Sequence, residues 1–191
     1  MNFNDKDFVD SLIKKCVKGD RKSQHLLYKS FYGKMLVVCM RYASHHEEAK
    51  DLLHDGFIKV FERLTSFQNK GSLEGWIRRI IINNCIDFIR KKRDYLIQSD
   101  EKGFENLEDD SDNDADFQAE IKLKAELVIK LIQKLSPAYR TVFNMFVIEN
   151  YSHQEIADEL NISVGASKSN LAKAKMKLRD LFNSYRNELE K

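Results

Sequence analysis

The sequence predicts an all-α protein with two small helical domains joined by an acidic linker. Only seven of its 191 residues are Gly and one is Pro, so the tight turns of a β-sandwich or a doubly wound sheet are scarce. Apolar residues recur at helical spacing in both halves of the chain. The content of 42% hydrophobic and 32% charged residues is typical of a folded globular protein rather than a disordered chain.

Charge is distributed unevenly along the chain, although the formal net charge is only +2. Residues 98–120 contain ten acids and one base, so the rest of the chain carries a net charge of +11. A stretch this acidic, without apolar periodicity, cannot bury enough surface to offset the entropy cost of ordering. We therefore predict a flexible acidic linker at 96–120 between two net basic domains, 1–95 and 121–191.

Four helical patterns run through residues 1–95. Their apolar positions extend from Val9 to Cys16, from Leu27 to Tyr42, from Leu53 to Leu64 and from Ile77 to Phe88. Short segments rich in Gly, Ser, Asn and Asp separate these patterns, as expected for loops. The N-terminal domain is therefore predicted to contain four helices, the last of which ends in the basic cluster Arg90–Arg93.

The C-terminal domain has sharper helix signals. The Ser-Pro pair at 136–137 predicts one helix start. Ser152 and Glu155 fit a capping box, in which each side chain bonds to the main-chain amide of the other residue. That helix is predicted to stop at Asn161, which accepts the left-handed conformation, and Ser163 then caps another helix. Two helices with so short a connection predict a helix-turn-helix.

The second helix of this motif is predicted to have an inward and an outward face. The inward face is apolar and consists of Val164, Leu171, Ala174, Leu178 and Leu181. The outward face and its rims carry Gly165, Ala166, Lys168, Ser169, Asn170 and Lys173. Small residues followed by cations suit a helix whose N-terminal end enters a major groove while its flanks meet phosphates. The alternative is a helical hairpin with a solvated cationic face.

The chain shows no pattern of a membrane or secreted protein. Its longest apolar stretch, Met35–Met40, is far shorter than the roughly 20 residues that a transmembrane helix needs. The N-terminus places acids before bases and lacks the apolar core of a signal peptide. Cys16, Cys39 and Cys85 are widely spaced among apolar residues, which indicates reduced thiols in a core. We therefore expect a cytoplasmic protein without membrane insertion.

Two parts of the sequence resemble a known family. Residues 136–182, SPAYRTVFNMFVIENYSHQEIADELNISVGASKSNLAKAKMKLRDLF, resemble the fourth conserved region of bacterial RNA polymerase sigma factors, which recognises the promoter minus-thirty-five element. Residues 47–67, EEAKDLLHDGFIKVFERLTSF, and 71–93, GSLEGWIRRIIINNCIDFIRKKR, resemble the second region, which binds the polymerase clamp and opens the minus-ten element. With only an acidic linker between these regions, the chain is similar to the extracytoplasmic-function (ECF) subfamily of sigma-70 factors.

The resemblance implies three partners: core RNA polymerase, promoter DNA and an anti-sigma factor that holds the protein inactive. It also assigns roles to residues of the N-terminal domain. Asp51, Leu52 and Asp55 fall on the helix that docks on polymerase, although Leu52 also fits a core position and the two acids also fit a solvated face. The loop that captures an extruded base of the nontemplate strand corresponds to Gln68, Asn69, Lys70, Gly71 and Ser72.

Further implied contacts lie on the helix that follows this loop and on the recognition helix. Arg79, Asn83 and Arg90 share one stripe, on which the family contacts the melted strand. In the recognition helix, Ser167 stands where the family often has a β-branched apolar residue, and Asn170 where it often has Arg. These two departures leave the base preference of the helix open.

Other functions fit the sequence less well. The single Asp51-to-His54 pair is not repeated, as a carboxylate-bridged metal bundle requires, and no phosphate loop, nucleophile elbow or paired Cys motif occurs. We therefore expect a protein that is not an enzyme, with no catalytic residue, metal, cofactor or small-molecule substrate. Two binding alternatives remain: a dimeric helix-turn-helix regulator that binds a palindromic duplex without polymerase, and a helical adaptor whose basic faces are incidental.

Overall fold

The fold is helical throughout the part of the chain that the computed structural model describes. That part comprises Phe3, residues 5–98 and residues 118–189, with side chains described except at 93–98, 118–125 and 188–189. It contains no β-strand, so the all-α prediction is confirmed. As far as they are described, Met1–Cys39 and His46–Phe88 form one compact unit, and Met40–His45 and Ile89–Lys191 form a second.

The helices of the N-terminal half follow the four predicted patterns. They are α1 (Lys6–Val17), α2 (Arg21–Met40), α3 (His46–Arg63) and α4 (Leu73–Gln98), with a short 3-10 turn at Leu64–Ser66 after α3. Asp5 caps α1 by accepting hydrogen bonds from the amides of Asp7 at 3.0 Å and Phe8 at 3.3 Å. Local capping and apolar spacing thus account for these helices.

The core of the first unit is built where α2, α3 and α4 bury their apolar stripes. Phe57 of α3 is 2% exposed, and its ring meets the ring of Tyr28 of α2 edge-on, with centroids 4.7 Å apart. Gly56 allows a close approach to α4, because a Cβ at this position would lie 2.5 Å from Cδ1 of Ile81. Ile58, the next residue of α3, points outward and is 47% exposed.

All three cysteines are buried and unbridged, as the sequence predicts. Burial, with a smaller contribution from the negative charge of Asp20, raises the pKa of the Cys16 thiol to about 11. The sulfur atoms of Cys39 and Cys85 lie 4.0 Å apart in the core. Buried thiols are poorly reactive. The role of these three cysteines is therefore to pack the core.

Four more α-helices lie in the described residues 118–189. They are α5 (Gln118–Gln133), α6 (Pro137–Phe143), which continues into a π-helical turn at Asn144–Ile148, α7 (His153–Leu160) and α8 (Val164–Leu189). Helix α5 was not predicted from the sequence, and α4 and α5 extend into both ends of the predicted linker. The rest of that linker, 99–117, lies outside the described residues.

Buried polar contacts hold Met40–His45 within the second unit. Nη2 of Arg41 lies 3.1 Å from Oε1 of Glu149 in an ion pair that is nearly buried. Arg140 donates to the carbonyl of Gln133 at 3.2 Å and to Oγ of Ser44 at 3.0 Å. Because a buried charge is costly unless it is paired and hydrogen-bonded, these contacts fix the local arrangement.

Replacing Phe57 by Ala should destabilise the first unit by about 3–5 kcal/mol, because it removes a large side chain from a packed core. Ile58→Ala, on the exposed side of the same helix, is the matched control and should cost less than about 1 kcal/mol. Urea unfolding of both variants measures the difference. An equal loss in the two variants would contradict the placement of Phe57 in the core.

Candidate nucleic-acid interface

The start of α7 has the capping box that the sequence predicts. Oγ of Ser152 accepts a hydrogen bond from the Glu155 amide at 3.2 Å, and the Ser152 amide donates to Oε2 of Glu155 at 2.8 Å. The hydrogen bonds from the amide and then the side chain of Ser152 lower the pKa of Glu155. The first turn of α7 is therefore fixed by its own side chains.

A short turn joins α7 to α8. Asn161 adopts the left-handed conformation, with φ of 50° and ψ of 54°, as its position in the sequence predicts. The amide of Ile162 donates to the carbonyl of Ala157 at 3.0 Å, and Oγ of Ser163 accepts from the Ala166 amide at 3.0 Å. Local hydrogen bonds thus end one helix and begin the next, which gives the predicted helix-turn-helix its geometry.

The inward face of α8 packs against the rest of the second unit. Leu171 and Ala174 are buried, and Val164 and Leu178 are half-buried. Ser167 is also buried, since it lies on the same stripe between Val164 and Leu171. Ser167, which stands where the family often has a β-branched apolar residue, is therefore an interior residue. Its side chain does not reach the surface that could meet DNA.

The residues of α8 predicted to contact DNA lie away from this packed face. Gly165, Lys168, Ser169 and Lys173 are exposed, whereas Ala166 and Asn170 are half-buried at its edges. Two cations and a hydroxyl thus project from the first three turns of a helix whose opposite face is fixed. This surface has the chemistry of a major-groove helix, with donors for bases and cations for phosphates.

The loop between the 3-10 turn and α4 is bent by two residues with left-handed backbone. Asn69 has φ of 55° and Gly71 has φ of 105°, a value that side chains rarely adopt. The side-chain amide of Asn69 donates a hydrogen bond to Oδ1 of Asp10 in α1, and Oγ of Ser72 accepts from the Gly75 amide at 3.0 Å to cap α4. Asn69 and Ser72 therefore shape the loop, and Gln68 and Lys70 expose their side chains.

The stripe predicted on α4 is only partly exposed. Arg79 and Asn83 are exposed and Arg90 is half-buried. Asp87 is paired with Lys59 of α3, with Nζ and Oδ2 3.5 Å apart. Arg79 and Asn83 thus offer exposed hydrogen-bond donors on the first three turns of α4.

The three residues predicted to dock on polymerase separate into two groups. Asp51 and Asp55 are exposed one turn apart on α3, so both carboxylates lie on the same side of the helix. Leu52 is 2% exposed and packs in the core of the first unit. The surface that a partner could meet is therefore formed by the acids, with Leu52 beneath it.

Two contacts that support these surfaces were not predicted from the sequence: Asp10 with Asn69 and His153 with Ser167. The burial of Ser167 could have been inferred from its place in the apolar stripe. No sequence signal links Asp10 to Asn69, which are 59 residues apart.

The described residues offer no metal site and no membrane span. No group of three or more His, Cys, Asp or Glu residues in this part of the chain could hold a metal ion. No helix described by the structure is both long and apolar enough to cross a bilayer.

Comparison with protein families matches both halves of the chain. The model of Sigma-70 region 2 matches residues 27–95, and the model of Sigma-70, region 4 matches residues 125–178. The second match includes α7, the turn and the first part of α8, and the first includes α3, the following loop and most of α4.

Similar proteins share this organisation over nearly their full length. The ECF RNA polymerase sigma factor SigW of Bacillus subtilis is 32% identical over 177 residues, which cover 90% of this chain and 95% of SigW. RNA polymerase sigma factor YlaC of the same organism is 26% identical, covering 88% and 96% of the two chains. The sigma factor RpoE from Bartonella quintana, solved in complex with the anti-sigma factor NepR, has a similar fold, with a TM-score of 0.53, 19% identity, and coverage of 83% and 96%.

The capping box predicts a specific dependence of stability on pH. Because the pKa of Glu155 is lowered in the folded state, its carboxylate stabilises the fold above the ordinary glutamate pKa of about 4.3. This contribution is lost as the pH falls through the lowered value. Wild type should therefore exceed Glu155→Gln in stability near neutral pH, and the difference should close in acid. Urea unfolding from about pH 7 to about pH 2 measures it.

Glu159→Gln is the matched control for this experiment, because Glu159 is exposed on the same helix. It should retain the dependence on pH that wild type shows. A gap between wild type and Glu155→Gln that stays constant over the whole range would show that the Glu155 carboxylate has no special role at the cap.

Proposed function

Because this chain belongs to the ECF family of RNA polymerase sigma factors, we propose that it binds core RNA polymerase in the cytoplasm and directs initiation at a specific set of promoters. The observation that carries the proposal is that one chain joins both family regions and exposes DNA-compatible side chains in each. Its role is to supply promoter recognition to the polymerase and not to catalyse a reaction itself.

In this proposal α8 recognises the minus-thirty-five element as duplex DNA. Its first turn enters the major groove, where the absence of a side chain at Gly165 permits close approach and Ser169 can bond to base edges. Lys168 and Lys173 meet phosphates on either side. Asn170 is half-buried at the rim, and its amide suits adenine better than guanine.

The loop at 68–72 and the start of α4 act on the unwound minus-ten element. Asn69 and Ser72 shape the loop through their hydrogen bonds, and Gln68, Lys70 and the Gly71 backbone surround the extruded base. Arg79 and Asn83 then contact the adjacent single strand, and Arg90 contacts it further along α4.

The exposed acids of α3 dock on a basic surface of core polymerase. Asp51 and Asp55 make the charged contacts, and Leu52 acts from the core by holding α3 in place. We also propose regulation by an anti-sigma factor, because RpoE from Bartonella quintana, which has a similar fold, was solved in complex with the anti-sigma factor NepR.

The direct test is transcription by purified core polymerase on a pooled promoter library, with and without the protein. We expect start sites that appear only when both are present, and these promoters should share two sequence elements. Tight binding to a palindromic duplex without polymerase, with no new start sites, would support a dimeric regulator instead. The absence of both results, together with DNA binding that does not respond to salt, would favour the adaptor.

Replacing both α3 acids should weaken core binding without unfolding the protein. The double variant Asp51→Asn with Asp55→Asn should raise the Kd for core polymerase about 2- to 30-fold, because it removes two solvent-exposed charged contacts. Fluorescence anisotropy with labelled protein measures the Kd at two salt concentrations, and the difference should shrink at higher salt.

The matched control makes the same change in net charge elsewhere. Glu159→Gln with Asp180→Asn removes two exposed acids from α7 and α8 and should leave the Kd for core polymerase unchanged. If the two double variants had the same Kd for core polymerase, the acids of α3 would not form the docking surface.

A further inference from the structure

Ser167 places a polar group inside the packed face of α8. It lies in the first turn of the helix and is 0% exposed. Its amide donates to the carbonyl of Ser163 at 3.0 Å, within the turn that starts the helix. Burial of a hydroxyl is unfavourable unless the hydroxyl makes a hydrogen bond, so the identity of its partner matters.

His153 is that partner. Its Nδ1 lies 2.9 Å from Oγ of Ser167, and its ring stacks on Phe146 with centroids 4.4 Å apart and ring planes at 25°. Phe146 belongs to the π-helical turn, and His153 is the first residue of α7. Nζ of Lys175 in α8 lies 6.0 Å from the Phe146 centroid. The π-helical turn, the start of α7 and the first turns of α8 therefore meet around one imidazole.

We propose that His153 is a positioning residue for promoter recognition, which through Ser167 sets the depth and rotation at which the first turn of α8 meets base edges. The inference rests on the proposed function. The imidazole is held against Phe146 by stacking, so its Nδ1 provides a fixed point for the Ser167 hydroxyl.

Because the contact between His153 and Ser167 is a hydrogen bond, it is directional and can therefore affect base recognition. A hydrogen bond constrains both a distance and an angle, whereas an apolar contact constrains mainly the distance. Gly165, Lys168 and Ser169 project from the first two turns of α8, so rotation of the helix about its axis moves them with Ser167. Discrimination between bases depends on the geometry of donors and acceptors in the groove, and a small rotation therefore changes it.

The test uses holoenzyme made from core polymerase and the full chain, on a promoter library with a randomised minus-thirty-five element and a fixed minus-ten element. His153→Ala, Ser167→Ala and the combined variant remove the hydrogen bond. His153→Asn retains a side-chain amide that can reach Ser167. Gln154→Ala is the matched control, because the Gln154 side chain bonds to Asp158 at 3.0 Å on the exposed side of α7.

Each single variant should reduce discrimination between preferred and altered minus-thirty-five elements about 2- to 10-fold, which corresponds to the loss of one hydrogen bond. The combined variant should lose no more than either single variant, because both act through the same contact. His153→Asn should restore part of the discrimination, and Gln154→Ala should match wild type. The altered preference should be confined to bases met by the first turns of α8.

Three results would overturn the inference. The first is a uniform fall in initiation across the library with the preferred sequence unchanged, which would give His153 a role in stability alone. The second is additive loss in the combined variant. The third is an unchanged minus-thirty-five preference in every variant of a holoenzyme that does yield new start sites. Ser167→Ala removes only one oxygen atom, so it keeps the test valid even if His153→Ala does not fold. If wild-type holoenzyme yields no new start sites, the proposed function itself fails. If wild-type holoenzyme yields new start sites and the variants keep the wild-type minus-thirty-five preference, only this inference fails.

Discussion

The turn between α7 and α8 is the constraint on which the C-terminal recognition surface depends. Asn161 ends α7 in the left-handed conformation, and Ser163 immediately starts the next helix with a side-chain cap. Because the inward face of α8 is packed through Leu171 and Ala174, the turn also determines which residues face outward. A recognition helix must present its side chains at a defined angle, and here local hydrogen bonds and a small core provide that angle.

The N-terminal surface depends on a similar division between residues that shape it and residues that it exposes. Asn69 and Ser72 have polar side chains that could contact DNA, yet both are engaged in hydrogen bonds within the protein. Leu52 likewise lies in the core beneath the exposed acids of α3. Substitutions at these three positions would act on the surfaces through the local structure, whereas substitutions at Lys70 or Asp51 would act on them directly.

Local features could be predicted from the sequence, and long-range contacts could not. The capping box, the left-handed Asn161 and the apolar stripes depend on residues within a few positions of one another, so their spacing is sufficient. The hydrogen bond between Asn69 and Asp10 and the nearly buried ion pair between Arg41 and Glu149 join residues that are far apart in the chain. Helix α5 was not predicted, because its start lies within the acidic run and an acidic composition predicts a linker.

The promoter element that each domain contacts can be measured directly, through cleavage of promoter DNA by a chelated iron attached to a single position of the protein in the initiation complex. Lys70→Cys and Lys173→Cys provide exposed attachment points, and the native cysteines are buried. We expect iron at 70 to cleave the nontemplate strand within the unwound minus-ten element and iron at 173 to cleave duplex DNA at the minus-thirty-five element, both only with core polymerase present. Cleavage by both probes at one place, or an identical pattern without polymerase, would contradict this expectation.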